Sequence, residues 1–345
     1  MAETMPGTSS APVSFLAKLG SGFASAFPIL VIATLLLSAV FIKPRVAPSE
    51  VVPIPIHPRD AFYSAYVSDS AGIWLAGRGN KVIAAPALGQ PWKIIEPSIS
   101  SNWQGVVAFS AKTIVLVGNE GVIIRSEDGG ASWSKVNTKD ILTVFDSKFL
   151  RLKEAPNGDL WALAEFGNIL RSRDQGKSWQ ALRPKSDIGW NDIIFSQDRI
   201  VIVGEFGKIL SSDNQGQTWA EKEFPESSSL MSAAIKPNGL GVAVGLEGNI
   251  MITSDNGRGW SKVKPFTDAH FYSVIVDGDQ FIAVGDKGWI AKSNDGRSWT
   301  RIPGKENDSS WRTEIQKTKD GLLLIGKNPA LITMNGLKFL TELAK

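Results

Sequence analysis

A tryptophan-ended motif that returns about every forty residues constrains the fold of this chain more than any other feature. Residues 126–133 fit Ser-x-Asp-x-Gly-x-x-Trp, and successive motif tryptophans stand 39 to 46 residues apart. The four best copies are Ser126, Asp128, Gly130 and Trp133; Ser172, Asp174, Gly176 and Trp179; Ser212, Asn214, Gly216 and Trp219; and Thr253, Asp255, Gly257 and Trp260. Gly296 with Trp299 and Gly89 with Trp92 are degenerate copies. Such a period, with strand-like segments between the motifs, predicts a β-propeller.

The residue types of this motif, an Asp-box, suit a tight turn between two strands. Serine and aspartate side chains accept hydrogen bonds from backbone N–H groups, and glycine adopts backbone angles that other residues avoid. The tryptophan supplies a large apolar face that can pack against a neighbouring sheet. Asparagine replaces aspartate at Asn214 and, in the fifth copy, at Asn294. We therefore interpret the box residues as structural, and not as ligands or catalytic acids.

A second recurring element gives the number of blades. An apolar run ends in Gly, two further residues and Gly, as in residues 115–121 and 201–207. The first glycine of this element, or its replacement, falls at positions 77, 118, 164 (alanine), 204, 245, 285 and 326. Each repeat has four short apolar runs bounded by turn residues, which are strand signals. The sequence thus predicts an all-β, seven-bladed β-propeller with Asp-box repeats, preceded by one N-terminal transmembrane helix.

The last repeat has no box and carries Asn335-Gly336, a strong hairpin signal. The first blade begins near Asp60 and the last ends near Leu343. We expect ring closure to bring these two ends together, because closure removes exposed sheet edges.

Composition excludes several classes of function. The chain has 345 residues, of which 43% are hydrophobic and 21% charged, as in an ordinary folded protein. A formal charge of +3 is too small to indicate nucleic-acid binding. The absence of cysteine excludes disulfides and thiolate chemistry, and His57 and His270 are the only histidines. We predict no catalytic residue, no metal site and no cofactor.

The N-terminal segment predicts a membrane anchor. Residues 1–18 have the composition of a disordered tail, and residues 19–42 contain no charged residue and an apolar run long enough to span a bilayer. A buried core helix and a cleaved signal peptide are the alternatives, although no good small-x-small cleavage site follows the run. The proline-rich residues 43–58 predict a stalk, with an edge strand over residues 49–56 as the alternative for part of it, and residues 59–345 are predicted to form the propeller. Lys43 and Arg45, just after the helix, mildly favour a cytoplasmic propeller.

The two elements in register, Val-Gly-x-x-Gly-x-Ile and then Ser-x-Asp-x-Gly-x-x-Trp, resemble the Ycf48/HCF136 family of photosystem II assembly and stability factors and their bacterial relatives. The resemblance runs from about Asp60 to the C-terminus. It implies a seven-bladed propeller that is exported across a membrane and binds membrane-protein partners without catalysis. Against the Lys43 and Arg45 signal, it implies a single-pass protein of the inner membrane with its propeller on the periplasmic side.

Two departures from the family bear on the partner. Cyanobacterial members usually carry a lipid-modified cysteine and the plant form a transit peptide, and residues 1–18 resemble neither. A client other than a photosystem therefore fits better, namely another inner-membrane protein complex. One version of this hypothesis makes the chain an accessory subunit of a transporter.

Sialidases also carry Asp-boxes and provide the alternative, a carbohydrate-active or glycan-binding propeller. They need three arginines, a Tyr/Glu nucleophile pair and an aspartic acid, whereas the tyrosines here are limited to Tyr63, Tyr66 and Tyr272. Their Arg-Ile-Pro motif precedes the first box, but residues 301–303 follow the last one. Glycosidase chemistry uses two placed carboxylates, and no spacing in the sequence nominates such a pair.

The candidate partner site lies on one face of the predicted ring, which we call the loop face. It holds the loops between second and third strands together with the blade-to-blade connections, and the boxes lie on the opposite face. Repeated carboxylates and added aromatic residues favour an interface over a set of solvated turns, which is the alternative. The candidate partner-binding residues are Glu120, Glu165, Phe166, Glu205, Phe206, Glu247, Asp286, Phe145, Phe149, Trp103 and Trp190.

Overall fold

The chain has two compact units, Met1–Pro53 and Ile54–Lys345. The computed structural model describes residues 26–38, 55–142, 147–182, 186–197, 199–224 and 228–343. The first unit contains a helix, α1, over residues 26–38, and the second contains all of the described strands.

Helix α1 exposes apolar side chains along its length. Phe27, Ile29 and Leu36 are 64%, 70% and 65% exposed. Within the described ranges, no helix reaches the length and apolarity needed to cross a membrane. The predicted anchor, residues 19–42, extends beyond the described helix at both ends, so it stays a prediction. Residues 1–18 and most of the predicted stalk also lie outside the described residues.

The second unit is a ring of seven four-stranded antiparallel sheets, each built from four consecutive strands. Blades 1 to 4 contain β1 (Phe62–Ser68), β2 (Gly72–Gly77), β3 (Val82–Ala85), β4 (Lys93–Ile95); β5 (Trp103–Ala108), β6 (Ile114–Gly118), β7 (Ile123–Ser126), β8 (Ser134–Lys135); β9 (Phe149–Glu154), β10 (Leu160–Ala164), β11 (Ile169–Ser172), β12 (Gln180–Ala181); and β13 (Trp190–Ser196), β14 (Arg199–Gly204), β15 (Ile209–Ser212), β16 (Ala220–Lys222). Blades 5 to 7 contain β17 (Leu230–Ile235), β18 (Gly241–Gly245), β19 (Ile250–Thr253), β20 (Ser261–Val263); β21 (Phe271–Asp277), β22 (Gln280–Gly285), β23 (Ile290–Ser293), β24 (Thr300–Arg301); and β25 (Arg312–Thr318), β26 (Gly321–Gly326), β27 (Ala330–Thr333), β28 (Gly336–Phe339), which helix α2 (Leu340–Leu343) follows. The predicted all-β, seven-bladed propeller is confirmed, and every second strand ends at one of the seven predicted positions.

The core lies between blades, which explains the apolar runs in the sequence. Each sheet packs against a neighbour on both faces, so strands such as β6 are buried along their whole length. Val115 and Val117 of blade 2 share one core cluster with Phe149, Leu152 and Trp179 of blade 3. The first strand of each blade contacts the first strand of the next, so these seven strands line the ring axis.

The box turns join third and fourth strands and hold the blades together. In the blade 2 box, the Gly130 N–H donates to Ser126 Oγ at 2.9 Å and the Ser132 N–H donates to Asp128 Oδ1 at 2.8 Å. Gly130 has a φ of 85°, and a Cβ there would lie 2.8 Å from Ile95 Cγ2 of blade 1. Only glycine permits both this backbone angle and this close approach. The box therefore fastens each blade to the preceding one.

The blade 6 box differs from its sequence prediction. The motif spacing aligns Lys292 and Asn294 with the box serine and aspartate, so the sequence predicts a copy that keeps only Gly296 and Trp299. The structure shows a complete box, in which Ser293 and Asp295 make the hydrogen bonds. The Gly296 N–H donates to Ser293 Oγ at 2.8 Å, and the Ser298 N–H donates to Asp295 Oδ1 at 2.8 Å. One residue fewer separates the aspartate from the glycine, so a fixed-spacing pattern misses a turn that has the same chemistry.

Box aspartates should make stability fall in acid. The backbone N–H of Ser298 and further hydrogen bonds lower the pKa of Asp295 to about 2, whereas an unfolded aspartate has a pKa of about 3.9. A lowered folded-state pKa contributes stability that is present above the unfolded value and is lost as the pH falls through the folded value. We expect Asp295→Asn to lose less stability than the parent between about pH 4 and pH 2.

Urea denaturation across this range measures the effect, with Asp320→Asn, at an exposed turn position, as the control. Asn214 shows that the amide fits a box, because it accepts from the Thr218 N–H at 2.9 Å and donates to Thr218 Oγ1 at 2.8 Å. Parallel stability curves for the Asp295→Asn variant and the parent would contradict the prediction.

The ring closes where blade 7 meets blade 1, without exchange of a strand between the chain ends. The Ala65 N–H donates to Glu314 Oε2 at 3.0 Å, and Ala61 forms an isolated bridge with Lys327. Ile56 and Leu340 share a core cluster, so the two ends of the propeller meet as expected. Residue 56 thus packs in this core, although the sequence places it in the stalk. Thr333 pairs with Gly336, and the seventh blade ends in the predicted hairpin.

Candidate partner-binding face

The turns between second and third strands all use one unusual backbone conformation. Each contains a non-glycine residue with φ between 49° and 62°, and in blades 2 to 6 a glycine of positive φ follows it. These residues are Asn80, Glu120, Phe166, Phe206, Glu247, Lys287 and Asn328. The left-handed region is disfavoured for large side chains, and such residues concentrate at functional positions. Phe166 and Phe206 are therefore the two least expected occupants of these turns.

Phe206 is the most exposed aromatic side chain on this face among the described residues, at 61%. Phe166 occupies the same turn position in the adjacent blade and is half-buried. The left-handed conformation is shared by both residues, so equivalent turns of the adjacent blades 3 and 4 each carry a phenylalanine on the loop face. We call Phe166 and Phe206 the aromatic pair.

The five predicted carboxylates do not occupy one geometric position. Glu165, Glu205 and Asp286 stand first in their turns and accept hydrogen bonds from backbone N–H groups just before the inner strands. The Lys148 N–H donates to Glu165 at 3.0 Å, the Gly189 N–H to Glu205 at 2.7 Å and the His270 N–H to Asp286 at 3.1 Å. These three carboxylates position the connections of the loop face. Glu120 and Glu247 stand one residue later and are exposed.

Three of the predicted aromatic contacts are corrected by their burial. Trp103, Trp190 and Phe149 are all fully buried, at 0% exposure. Each is the first residue of an inner strand, and its side chain packs between blades and cannot touch a partner. Phe145 lies outside the described residues.

A ring of β-bulges, which the sequence analysis missed, shapes the centre of the loop face. The register of every inner strand slips at its second residue, which has no pairing partner on the neighbouring strand. A bulge re-aims the side chain of the extra residue. The seven bulged residues are Tyr63, Gln104, Leu150, Asn191, Met231, Tyr272 and Thr313, one from each blade.

These seven residues line a cavity on the ring axis, which we call the axial cavity. Its volume is ≈ 360 Å³, and Asn102, Asn119, Lys148 and Arg151 complete its lining. Tyr63 stacks on Trp311 with ring centroids 5.9 Å apart, which fixes one wall. Burial, and then the charge of Asp286, raises the pKa of Tyr272, so its hydroxyl stays protonated at neutral pH.

Buried charges fill the axis beneath this cavity. Arg151 of blade 3 lies 3.5 Å from Asp192 of blade 4 and 4.0 Å from Glu314 of blade 7. Lys153 Nζ lies 2.6 Å from Asp192. Burial alone would raise the pKa of Asp192, but Lys153 and Arg151 outweigh it and hold the pKa below its usual value. Because blades 3 and 7 stand on opposite sides of the ring, the contact between Arg151 and Glu314 crosses the axis and gives the axial cavity a floor.

The residues after the bulges tie neighbouring blades together. Ser64 accepts from the Val106 N–H at 3.3 Å, and Ser232 accepts from the Val274 N–H at 3.2 Å. The inner strands are the edges of their sheets, and these bonds satisfy backbone donors that no strand of the same blade can pair. The shape of the axial cavity is therefore set by the ring itself.

A larger cavity than the axial one lies on the opposite face, between blades 3 and 4, with a volume of ≈ 620 Å³. Arg171 and Arg199 line it, but each is paired with a carboxylate, Asp159 and Asp213 respectively. Paired arginines do not form the open cluster that a sialidase uses for its substrate carboxylate. Within the described part of the chain, no group of three acidic or histidine side chains is placed to hold a metal ion.

Comparison with known proteins gives structural similarity only. No family model matches the sequence, and no curated protein matches it. The chain is similar to the structure of Ycf48 bound to a D1 peptide, with 21% identity, a TM-score of 0.63 and coverage of 78% of this chain and 91% of that chain. It is also similar to Ycf48 from Cyanidioschyzon merolae, with 17% identity, a TM-score of 0.63 and coverage of 84% of this chain and 98% of that chain.

An ancestral GH74 enzyme shares the fold over part of its length. The identity is 14% and the TM-score 0.65, with coverage of 83% of this chain and 47% of that chain. The propeller therefore spans about half of that enzyme. At these identities, the similarities establish architecture, and the resemblance to Ycf48 that the two motifs predict is confirmed at the level of the fold.

Proposed function

We propose that this chain is a membrane-tethered, non-catalytic scaffold whose loop face binds an inner-membrane protein and so assembles or stabilises a membrane complex. The aromatic pair carries the proposal. A phenylalanine that is 61% exposed and held in a left-handed turn is unfavourable for an isolated propeller. A partner that buried the exposed phenyl ring of Phe206 would gain binding free energy, since buried aromatic residues dominate many interfaces.

The similarity to a Ycf48 structure that is bound to a D1 peptide supports binding of a polypeptide as a use of this fold. A transporter, with this chain as its accessory subunit, is one version of the proposed client. The lining of the axial cavity contains no carboxylate, so it lacks the pair that glycoside hydrolysis needs.

Removal of the aromatic pair should abolish capture of the partner. We expect Phe166→Ala with Phe206→Ala to lose co-purification from detergent-solubilised membranes, because two interface aromatics together are worth at least about 2–4 kcal/mol. The matched control is Met334→Ala, since Met334 is fully exposed in a hairpin on the opposite face. Circular dichroism and melting temperature verify that both variants are folded.

If the phenylalanine double variant retained the partner and Met334→Ala lost it, the interface would lie on the face opposite the loop face. The proposed assignment would then be wrong. Phe206→Asn provides a further check, because asparagine tolerates the left-handed conformation and removes only the ring. Loss of capture in this variant separates recognition of the ring from distortion of the turn.

The tether belongs to the same proposal. The exposed apolar side chains of α1 and the uncharged residues 19–42 support an inner-membrane anchor. The resemblance to an exported family supports a propeller in the periplasm, against the charges of Lys43 and Arg45. A variant without residues 19–42 should leave the membrane fraction, and a reporter that works only in the cytoplasm should stay inactive when fused after residue 345. Retention of the truncated variant in membranes, or an active reporter, would contradict the anchor or its orientation respectively.

A further inference from the structure

We infer that the axial cavity binds an extended, carboxylate-bearing segment of a polypeptide; this rests on the proposed function and specifies which part of the partner is recognised. The cavity is the point where all seven blades meet on the loop face. Seven bulges in register aim one side chain each into it, and bulges are frequent beside functional sites.

The lining suits a peptide backbone. Gln104 donates its amide N–H to Asn119 at 3.0 Å, and Asn191 donates its own to the Leu230 carbonyl at 2.8 Å. Among the described residues, neither amide oxygen of Gln104 and Asn191 accepts a hydrogen bond, and the hydroxyls of Tyr63 and Tyr272 make none. The cavity thus offers two amide oxygens that are held in place as acceptors and two tyrosine hydroxyls that can donate. An extended chain requires both kinds of group, because its N–H and C=O groups alternate.

The floor of the cavity limits how deeply a partner can enter. The contact between Arg151 of blade 3 and Glu314 of blade 7 crosses the axis, so a segment that enters from the loop face stops at these charged groups. An extended chain presents its backbone N–H and C=O groups to the lining, whereas a helix uses most of its own in internal hydrogen bonds. The amide oxygens and hydroxyls of the lining that the described residues leave unpaired therefore favour an extended segment.

The charge of the lining selects an anionic group. Arg151 already faces Asp192 and Glu314, and Lys153 faces Asp192, so the floor is balanced. Lys148 is the other cation of the lining, and its ammonium forms no ion pair within the described ranges. The nearby Glu165 carboxylate accepts a hydrogen bond from the Lys148 backbone N–H and forms no ion pair with the Lys148 ammonium. The ammonium of Lys148 is therefore the group that would receive a carboxylate, by a charge-assisted hydrogen bond.

The experiment selects binders with the purified full-length protein in detergent from random heptapeptides displayed in two formats, one with a free C-terminal carboxylate and one fused at both ends. Enrichment only in the first format identifies a chain end, and enrichment of Asp or Glu in both identifies a side chain. Synthetic copies of the selected peptides are then titrated by isothermal calorimetry. We expect Lys148→Gln to weaken them about tenfold and Asn191→Leu to weaken them as well, whereas Lys327→Gln, a loop-face control outside the cavity, leaves the affinity unchanged.

Absence of any enriched peptide would overturn the inference, and so would selected peptides that bind the Lys148→Gln and Asn191→Leu variants normally. These outcomes are separable from failure of the proposed function. If capture of the partner required the aromatic pair but not Lys148, the proposed scaffold function would stand and the peptide site in the axial cavity would be rejected. If selected peptides required Lys148 but capture did not require the aromatic pair, the peptide site would stand and the proposed function of the aromatic pair would be rejected.

Discussion

Asp308→Ala is expected to lower the free energy of unfolding by about 3–5 kcal/mol, because it leaves a buried guanidinium without its partner. Arg312 is 0% exposed, and its Nη2 lies 2.6 Å from Asp308 Oδ2. Asp308 also accepts from the Ser310 N–H at 3.0 Å. Burial acts to raise the pKa of Asp308, but the bonds from Ser310 and Arg312 outweigh it and place the pKa below its usual value. The pair is therefore charged at neutral pH.

The other blades supply the control for this prediction. Arg312 is the first residue of β25, and the six equivalent residues are large and apolar: Phe62, Trp103, Phe149, Trp190, Leu230 and Phe271. The double variant Asp308→Ala with Arg312→Leu copies the apolar solution of blade 5. We expect it to recover most of the lost stability, since apolar replacements of buried ion pairs are often neutral or stabilising. Denaturant titration of the three proteins gives the comparison, and a double variant as unstable as Asp308→Ala would show that the damage lies elsewhere.

Trp179→Ala is expected to cost about 3–5 kcal/mol, the range for truncation of a buried aromatic residue. Trp179 is 9% exposed and packs with Val115 and Phe149 in a core cluster that joins blades 2 and 3. Its Nε1 donates to the Gly176 carbonyl at 3.2 Å, so the ring also fixes its own turn. The loss would therefore combine an inter-blade cavity with a loosened box.

Trp133 is the matched comparison, because it holds the same box position in blade 2 but is only half-buried. We expect Trp133→Ala to destabilise the propeller less than Trp179→Ala, in line with the smaller area withdrawn from water. Equal losses would show that the tryptophans act through the turn hydrogen bond. A melting temperature for Trp179→Ala close to that of the parent would reject the role of its ring in the core.

The architecture was predictable from the sequence because its signals are local and repeated. Each second strand is a short apolar run that must stop at a turn, so the positions near 77 to 326 mark seven sheets without knowledge of their contacts. The blade 6 box was mispredicted for a related reason. Asp295 reaches the same backbone N–H groups as its counterparts from one residue closer to the glycine, and a pattern of fixed spacing cannot represent this shift.

The candidate site was less predictable because it depends on which way side chains point. Trp103 and Gln104 are adjacent in sequence, yet the first is buried between blades and the second lines the axial cavity. The bulge that separates them has no residue signature, since the seven bulged positions hold Tyr, Gln, Leu, Asn, Met, Tyr and Thr. A usable signal was nonetheless present. Each bulged residue directly follows the large residue that opens an inner strand, about every forty positions.

The carboxylates of the loop face show the same limit. Glu165 and Glu120 both lie in the turn that follows an apolar second strand, so the sequence predicts the same partner-binding role for both. Glu165 stands first in its turn and accepts a hydrogen bond from a backbone N–H, whereas Glu120 stands second in the equivalent turn and faces solvent. The chain reverses direction between these two turn positions, so their side chains point to different sides. Repetition of a charge along a sequence therefore predicts a repeated turn more securely than it predicts a charged surface.

The closure of the ring without an exchanged strand has a consequence for synthesis of the protein. Every blade is complete once its own four strands have been made, and none waits for the N-terminal residues to supply a missing edge. The sheets can thus be finished one after another in the order of translation, with the seam between blades 7 and 1 sealed last by side chains and the bridge of Ala61 to Lys327. The seam between blades 7 and 1 is the one boundary between neighbouring blades that no continuous backbone crosses. We therefore expect the ring to open there first under strain.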